Sequence, residues 1–453
     1  MTARYVTVPS TRAAPAPASA HGLRRDTASV FASQVVGVAA ALAGAIITAR
    51  VLGPSGRGVL TLATLWVSFF ALAVPMSAGY GMIYQVRHGR ATLSQALSSA
   101  LGLSVVCGAV AFALALGLAP VFSRTFLAGV PRGYVLLAAI GLPAAIFAVL
   151  SNLALIGAGR ARQAALLGAV NATLSLAALT VAVLVLKQGV WGALAAGSLS
   201  SLFGATLTVI WLRGQFRRAL LVQPDLWRFS IRFGAKLHGG MLAQWANYGL
   251  DRFLLNLYLG PMAVGVYTVA AMAAERLWLL PGAVCAALYS RTGGDAENDA
   301  EVTARACRVT FWLMAGASVL VAAVAPPLIP LLLGAEFAPA GRLLWVFLPG
   351  VLLLTLLKVL APYICNRGKP VAVTYLSTGA LVITLALNVA LIPRYGIAGA
   401  AIASSVAYGA NGIASAVVFS RMSGLPLRAL VSFPREGLRL LGRRAESRPE
   451  RAP

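Results

Sequence analysis

Acidic residues are scarce in this chain, with only 12 Asp and Glu among 453 residues. Charged residues of both signs make up 11% of the sequence, whereas a soluble domain carries about 25%. This shortage excludes an ordinary soluble domain. Apolar runs long enough to cross a bilayer recur from end to end, so we predict an all-α, polytopic membrane protein.

Clusters of metal-binding or disulfide-forming residues are also missing. The four cysteines lie singly and far apart, at Cys107, Cys285, Cys307 and Cys365, and the three histidines are isolated. Without a CxxC pair or a His/Cys cluster, the sequence predicts neither a disulfide framework nor a metal site, and we expect no cofactor.

The net charge of +25 comes from basic residues in short loops between apolar segments. That pattern is typical of membrane topology and contact with anionic lipids, and it argues against nucleic acid as a partner. We predict about twelve helices, which are 27–49, 59–84, 96–120, 134–157, 163–186, 190–212, 233–259, 264–288, 305–333, 342–365, 370–392 and 397–420.

The distribution of Lys and Arg predicts the orientation. With both termini in the cytoplasm, 26 basic residues lie inside, 7 lie outside (Arg50 and Arg57 among them), and 4 lie within spans. The predicted divisions are a disordered cytoplasmic tail (1–25), a first lobe (26–212), an interfacial cytoplasmic linker (213–232), a second lobe (233–420) and a basic cytoplasmic tail (421–453).

The two predicted lobes repeat each other. Residues Leu52–Ala63 (LGPSGRGVLTLA) and Leu259–Ala270 (LGPMAVGVYTVA) share a pattern at a spacing of 207 residues, and the same spacing aligns Gly189–Ala193 with Gly396–Ala400. Six helices per repeat is an even number, so we predict a parallel repeat about an axis along the membrane normal.

The stretch Phe233–Leu259 is long enough to span a membrane but carries a polar stripe. At helical spacing, Lys236, Gln244, Asn247 and Asp251 fall within one arc of about 80°, which Arg252 widens. Charged groups at membrane depth are costly, so the stripe must face protein or water, and we predict that it faces a water-filled cavity. The next predicted helix adds the adjacent acid and base Glu275 and Arg276.

Four further stretches resemble bacterial polysaccharide transporters, the lipid-linked oligosaccharide flippases. They are DRFLLNLYLGPMAVGVYTVAAMAAERLWLLPGAV (Asp251–Val284), PPLIPLLLGAEFAPAGRLLWVFLPGVLLL (Pro326–Leu354), LNVALIPRYGIAGAAIASSVAYG (Leu387–Gly409) and ARVLGPSGRGVLTLA (Ala49–Ala63). The resemblance extends from Asp26 to Ser420. It implies two six-helix lobes around a central cavity, a place in the superfamily of multidrug, oligosaccharidyl-lipid and polysaccharide exporters, and a bacterial inner-membrane location.

The resemblance also implies an undecaprenyl-diphosphate-linked oligosaccharide as substrate, with membrane lipids, a polysaccharide polymerase and a chain-length regulator as partners. Such a substrate needs fixed cations in a polar cleft. The candidate substrate-binding residues are Arg252, Arg276, Lys358, Lys236, Gln244 and Asn247. Asp251 and Glu275 are candidate charge partners or ion-coupling groups; alternatively, the acid–base pairs are structural and the lysines extend to the membrane surface.

Three other functions fit the composition. A major-facilitator transporter usually carries a G-x-x-x-D-R-x-G-R-type loop, but the second loop here, Gln85–Arg90, has no Asp. A multidrug or toxin extruder is the main alternative, although pumps for cationic drugs rely on buried acids and none lies between Asp26 and Asp225. A membrane-embedded glycan polymerase needs a large extramembrane loop with catalytic side chains. The longest predicted loop here is the cytoplasmic linker, which contains a single acid, Asp225, so we expect no enzyme.

The predicted orientation can be tested by cysteine labelling from outside the cell. Cysteine substitutions at Arg124 or Lys187 should react with an impermeant thiol reagent, whereas substitutions at Arg217 or Arg439 should not. The reverse pattern would contradict the assignment of both termini to the cytoplasm.

Overall fold

A computed structural model describes residues 20–291 and 296–433, which form helices joined by turns. The helices are α1 (Ala20–Ala73), α2 (Ala78–Arg87), α3 (Leu93–Phe122), α4 (Arg132–Ala139), α5 (Leu142–Gly157), α6 (Ala161–Thr180), α7 (Gly189–Trp211), α8 (Pro224–Leu259), α9 (Pro261–Arg276), α10 (Leu279–Arg291), α11 (Ala296–Leu333), α12 (Ala338–Asn366), α13 (Pro370–Ser423) and α14 (Arg428–Val431). A π-helical turn, Val181–Val185, extends α6.

The number of membrane-crossing segments agrees with the twelve predicted. Within the described ranges, eight helices are long and apolar enough to span, or nine with the bent α9–α10 pair taken as one span. Two of them, α1 and α13, are broken at Gly53 and Gly396 and therefore supply two segments each. The polar helix α8 is the remaining segment. We call the parts of α1 before and after Gly53 α1a (20–52) and α1b (54–73).

The breaks repeat with the sequence. Gly53 has φ 63° and Gly260, 207 residues later, has φ 79°, and both have ψ near 180°. Gly189 and Gly396, at the same spacing, have φ 59° and 58°. Positive φ is strained for residues with a Cβ, so glycine allows the chain to reverse between consecutive segments at both places in each half. The internal repeat is thus present in the backbone.

The two halves cross at a reciprocal contact. A Cβ added to Gly58 would lie 1.7 Å from the carbonyl oxygen of Pro261, and one added to Gly265 would lie 1.9 Å from that of Pro54. Pro54 and Gly58 are the repeat equivalents of Pro261 and Gly265. In each half, therefore, the equivalent proline packs against the equivalent glycine of the other half, as a two-fold axis requires. We call this end of the bundle the Pro54 end and the opposite end the linker end.

Side chains add two further links between the halves at the Pro54 end. Arg50, at the end of α1a, donates hydrogen bonds of 2.5 and 2.6 Å to the carbonyl oxygens of Leu332 and Leu331 in α11. Asn256 of α8 donates to the carbonyl oxygens of Phe126 and Ala128, beyond α3, at 3.1 and 3.0 Å. These carbonyls lie at or beyond helix ends, where no intrahelical donor remains. The Pro54 end is therefore closed by polar and backbone contacts.

The helices extend further than hydropathy predicts at the linker end. Helix α8 starts at Pro224 and not at residue 233, because a proline fits the first helical turn. Its polar first turns therefore shorten the expected linker (213–232) to two 3-10 turns and their neighbours. Helix α1 starts at Ala20, inside the expected tail (1–25). The predictions of tails over 1–19 and 434–453 lie outside the described residues.

The close crossing gives a stability prediction. Gly58→Ala and Gly265→Ala should each lower the free energy of unfolding by about 1–3 kcal/mol, because the new methyl group meets backbone that cannot rotate away. The thermal unfolding midpoint of purified protein in detergent measures the effect. Gly117→Ala is the control, since a Cβ there has no atom within 4 Å. Unchanged midpoints for both crossing variants would contradict the reciprocal contact.

Candidate functional site

A polar cavity of about 390 Å³ lies between the halves, lined by α1, α6, α8 and α9. Half of the residues that line it are apolar. The polar side chains that line it are Thr48, Arg57, Thr61, Thr64, Arg252, Thr268 and Glu275. Two guanidinium groups and one carboxylate therefore share this cavity.

Arg57 is the functional candidate that the sequence analysis missed. Its place outside the predicted helix 59–84 made it a loop residue, but it lies in the first turns of α1b and is only 9% exposed. Its guanidinium donates to the Thr48 hydroxyl and lies 3.2 Å from the sulfur of Met272. Its Nε has no hydrogen-bond partner. Within the described part of the chain, this buried cation has no carboxylate partner.

Arg252 pairs with Glu275 across two helices. The Nη2 of Arg252 in α8 lies 3.2 Å from Oε1 of Glu275 in α9. Adjacent residues on a helix point about 100° apart, so the adjacent pairs Asp251–Arg252 and Glu275–Arg276 do not pair within their own helices. Glu275 neutralises Arg252 and is the charge partner that the sequence suggested, but for a different arginine.

Asp251 points away from the polar cavity. It is 2% exposed and accepts hydrogen bonds from the Tyr267 hydroxyl and from the backbone N–H of Arg252, the latter at 2.8 Å. The Tyr267 oxygen lies 3.0 Å from that of Ser404 in α13. Asp251 therefore belongs to a buried hydrogen-bond network within the second half.

The polar stripe of α8 is divided between two environments. Asn247 is buried, and its side-chain amide donates a hydrogen bond of 2.8 Å to the carbonyl oxygen of Ser377 in α13. This bond fixes α8 against its own half. Gln244 and Lys236 are exposed, one nearer the cavity and the other towards the linker end. Since residues three apart differ by about 60° in direction, Asn247 faces protein while Gln244 is exposed.

An apolar groove of about 400 Å³ adjoins the polar cavity between α1, α9 and α11. Leu42, Ile46, Leu320 and Leu328 contribute to its wall. Ala45, Arg57 and Met272 line both spaces, so the groove and the polar cavity share this part of their walls.

The remaining two predicted cations, Arg276 and Lys358, lie in different surroundings. Arg276 lines the apolar groove instead of pairing with Glu275. Lys358 of α12 lies over the ring of Trp278, with its Nζ 4.6 Å from the ring centre. No group of three or more His, Cys, Asp or Glu that could hold a metal occurs in the described residues.

Thiol labelling can separate the two environments of α8. In a background with the native cysteines replaced by alanine, Gln244→Cys should react rapidly with a small hydrophilic reagent, whereas Asn247→Cys should react at least about tenfold more slowly because it is buried. Leu250→Cys is a half-buried comparison. Equal rates at Gln244 and Asn247 would contradict this division of the stripe.

Three solved structures show the same fold. The lipid II flippase MurJ in an inward closed conformation gives a TM-score of 0.72 at 13% identity, over 94% of this chain and 94% of that one. An inward-facing multidrug resistance MATE family transporter of the MOP superfamily gives 0.71 at 17%, over 86% and 95%. A MOP superfamily transporter from Pyrococcus furiosus gives 0.59 at 14%, over 89% and 95%. At these identities the likeness concerns the fold alone.

A family model described as polysaccharide biosynthesis protein matches residues 47–341. No curated protein matches the chain. The matched segment includes the reciprocal crossing, the Arg252–Glu275 pair and every polar side chain that lines the polar cavity. The resemblance seen in the sequence is confirmed, and this multi-pass, all-α membrane protein with the MOP transporter fold belongs to the polysaccharide biosynthesis protein family.

Proposed function

We propose that this protein is a flippase that moves undecaprenyl-diphosphate-linked oligosaccharides across the bacterial cytoplasmic membrane for surface polysaccharide assembly. The excess of positive charge in the polar cavity carries this proposal: Arg57 and Arg252 line it, and Glu275 alone supplies negative charge. The family, whose members are described by their part in polysaccharide biosynthesis, agrees with this substrate class.

A diphosphate is the partner that Arg57 lacks. An ionised side chain inside the membrane is tolerated when another group compensates its charge, and Arg57 has only a hydroxyl and a thioether beside it. The guanidinium fork suits phosphate oxygens because it donates two parallel hydrogen bonds. Its Nε is buried and makes no hydrogen bond, so this part of the guanidinium is not compensated by the protein.

The apolar groove suits the other part of the same substrate. Because Arg57 lines both spaces, a diphosphate bound there would have a polar cavity on one side and an aliphatic groove on the other. A prenyl diphosphate has this division between a charged head and a long hydrocarbon chain. We propose that Arg276, at the groove, lies near the same head group.

The contacts at the Pro54 end suit transport by alternating access. With both termini in the cytoplasm, the Pro54 end faces outward and is closed, and the cavity is approached from the cytoplasmic side. A diphosphate would compete with Glu275 for Arg252, so binding changes the contact between α8 and α9. A ligand shifts a conformational equilibrium only when its contacts differ between the two states. Lys358, Gln244 and Lys236 would then meet the glycan, with Asn247 and Asp251 supporting α8.

The alternative is a multidrug extruder, which the MATE fold also supports. A cavity with two arginines and one glutamate repels organic cations, so such an extruder would act on anionic or neutral compounds. A membrane-embedded polymerase is disfavoured because the longest fully described connection between helices, 212–223, contains no acid.

The proposal is tested by deleting this gene in the source bacterium and restoring it with variants at matched membrane abundance. Arg57→Gln and Arg252→Gln should each lower glycan export by about tenfold or more, because each removes charge-assisted hydrogen bonds to the diphosphate. Undecaprenyl-linked units should accumulate in the inner leaflet. The exposed Arg124→Gln is the matched control and should export normally.

Full export by the Arg57→Gln and Arg252→Gln double variant would refute the diphosphate site. Normal surface glycan in the deletion strain, with altered accumulation of an anionic dye such as fluorescein, would favour the extruder instead.

A further inference from the structure

Lys358 is held by aromatic rings. Its Nζ lies 4.6 Å from the centre of the Trp278 ring and 5.7 Å from that of Tyr248, and it donates a 3.4 Å hydrogen bond to the Tyr248 hydroxyl. A ring face attracts a cation through its quadrupole. The ammonium therefore stays within the bundle and does not extend towards the linker end. We call Tyr248, Trp278 and Lys358 the lysine box.

The lysine box is fixed by its own contacts. The indole Nε1 of Trp278 donates a hydrogen bond of 3.1 Å to the carbonyl oxygen of Val351 in α12, and this bond sets the orientation of the ring. The Tyr408 ring packs against Trp278 at 5.3 Å and against Tyr248 at 6.0 Å between centroids. A ligand would thus meet a preformed surface and would pay little conformational entropy to order it.

No carboxylate of the described residues lies within ion-pair distance of the Lys358 ammonium, although Glu275 is close enough to attract it. Glu275, on the neighbouring helix α9, is already paired with Arg252. An ammonium has three donors, and the Tyr248 hydroxyl accepts only one of them. Lys358 is also only half buried, so its other donors remain accessible to a ligand.

The lysine box lies beside the proposed diphosphate site. Tyr248 precedes Arg252 by four residues on α8, about 6 Å along the helix axis, and the Arg252 guanidinium donates to the Tyr248 carbonyl oxygen. One turn further towards the linker end, Gln244 is exposed. A glycan attached to a diphosphate at Arg252 and extended towards the linker end would therefore pass the lysine box before it reached Gln244.

We propose that the lysine box is a sugar subsite that selects a glycan with a carboxylate on one of the units next to the lipid diphosphate, such as a uronic acid. Lys358 binds the carboxylate, and the Tyr248 ring packs against the apolar face of the sugar. This assignment rests on the proposed flippase function and adds to it the chemical class of the glycan.

The test uses purified protein and two synthetic probes. One is geranylgeranyl diphosphate carrying N-acetylglucosamine extended by glucuronic acid, and the other carries glucose in place of the glucuronic acid. The wild-type protein should bind the acidic probe about tenfold more tightly, as expected for one charge-assisted hydrogen bond. Lys358→Gln should abolish this preference without changing affinity for the glucose probe, and Lys358→Arg should retain part of it. The exposed Lys369→Gln is the control and should keep the full preference.

Two results would overturn the subsite. One is equal affinity of the wild-type protein for both probes while geranylgeranyl diphosphate itself binds, which leaves the flippase function standing. The other is an equal loss of affinity for both probes in Lys358→Gln with an unchanged thermal midpoint, which would assign Lys358 to the diphosphate. If the wild-type protein binds neither the probes nor geranylgeranyl diphosphate, the flippase function fails as well.

Discussion

A guanidinium group buried between membrane helices needs a compensating charge, and Arg57 has none within the described residues. The other buried arginine of the cavity, Arg252, has Glu275. This charge imbalance distinguishes the cavity from a structural ion-pair network, in which the numbers of acidic and basic groups are equal. It favours an anionic substrate, and the groove beside Arg57 favours one with a hydrocarbon chain.

The site depends on the way the two halves meet. Pro54 packs against Gly265, and Pro261 packs against Gly58. These two contacts bring the first turns of α1b and α9 into backbone contact. Those turns carry Arg57 on one helix and lead towards Glu275 on the other. A side chain larger than hydrogen at either glycine would separate the halves at the Pro54 end. The repeat thus closes one end of the bundle and sets the width of the cavity below it.

Hydropathy and the 207-residue spacing were sufficient to predict the twelve segments and the parallel repeat, because both follow from helix length and local turns. They could not identify Arg57, which stands next to glycines that read as a loop. Nor could they give the partner of Glu275, which is set by the packing of α9 against α8 and not by sequence neighbours. The sequence predicts that the polar stripe is one water-facing surface. In the structure, Arg252 lines the cavity while Asn247 and Asp251 are buried in the protein. The aromatic surroundings of Lys358 come from three separate segments, which no local pattern joins.

Native mass spectrometry of the protein extracted from its own bacterial membrane tests the central claim most directly. We predict a bound species with the mass of a prenyl diphosphate glycan on the wild-type protein, and its loss from Arg57→Gln but not from Arg124→Gln. Ordinary phospholipids alone on the wild-type protein, or the same glycolipid on all three proteins, would contradict an anion site at Arg57.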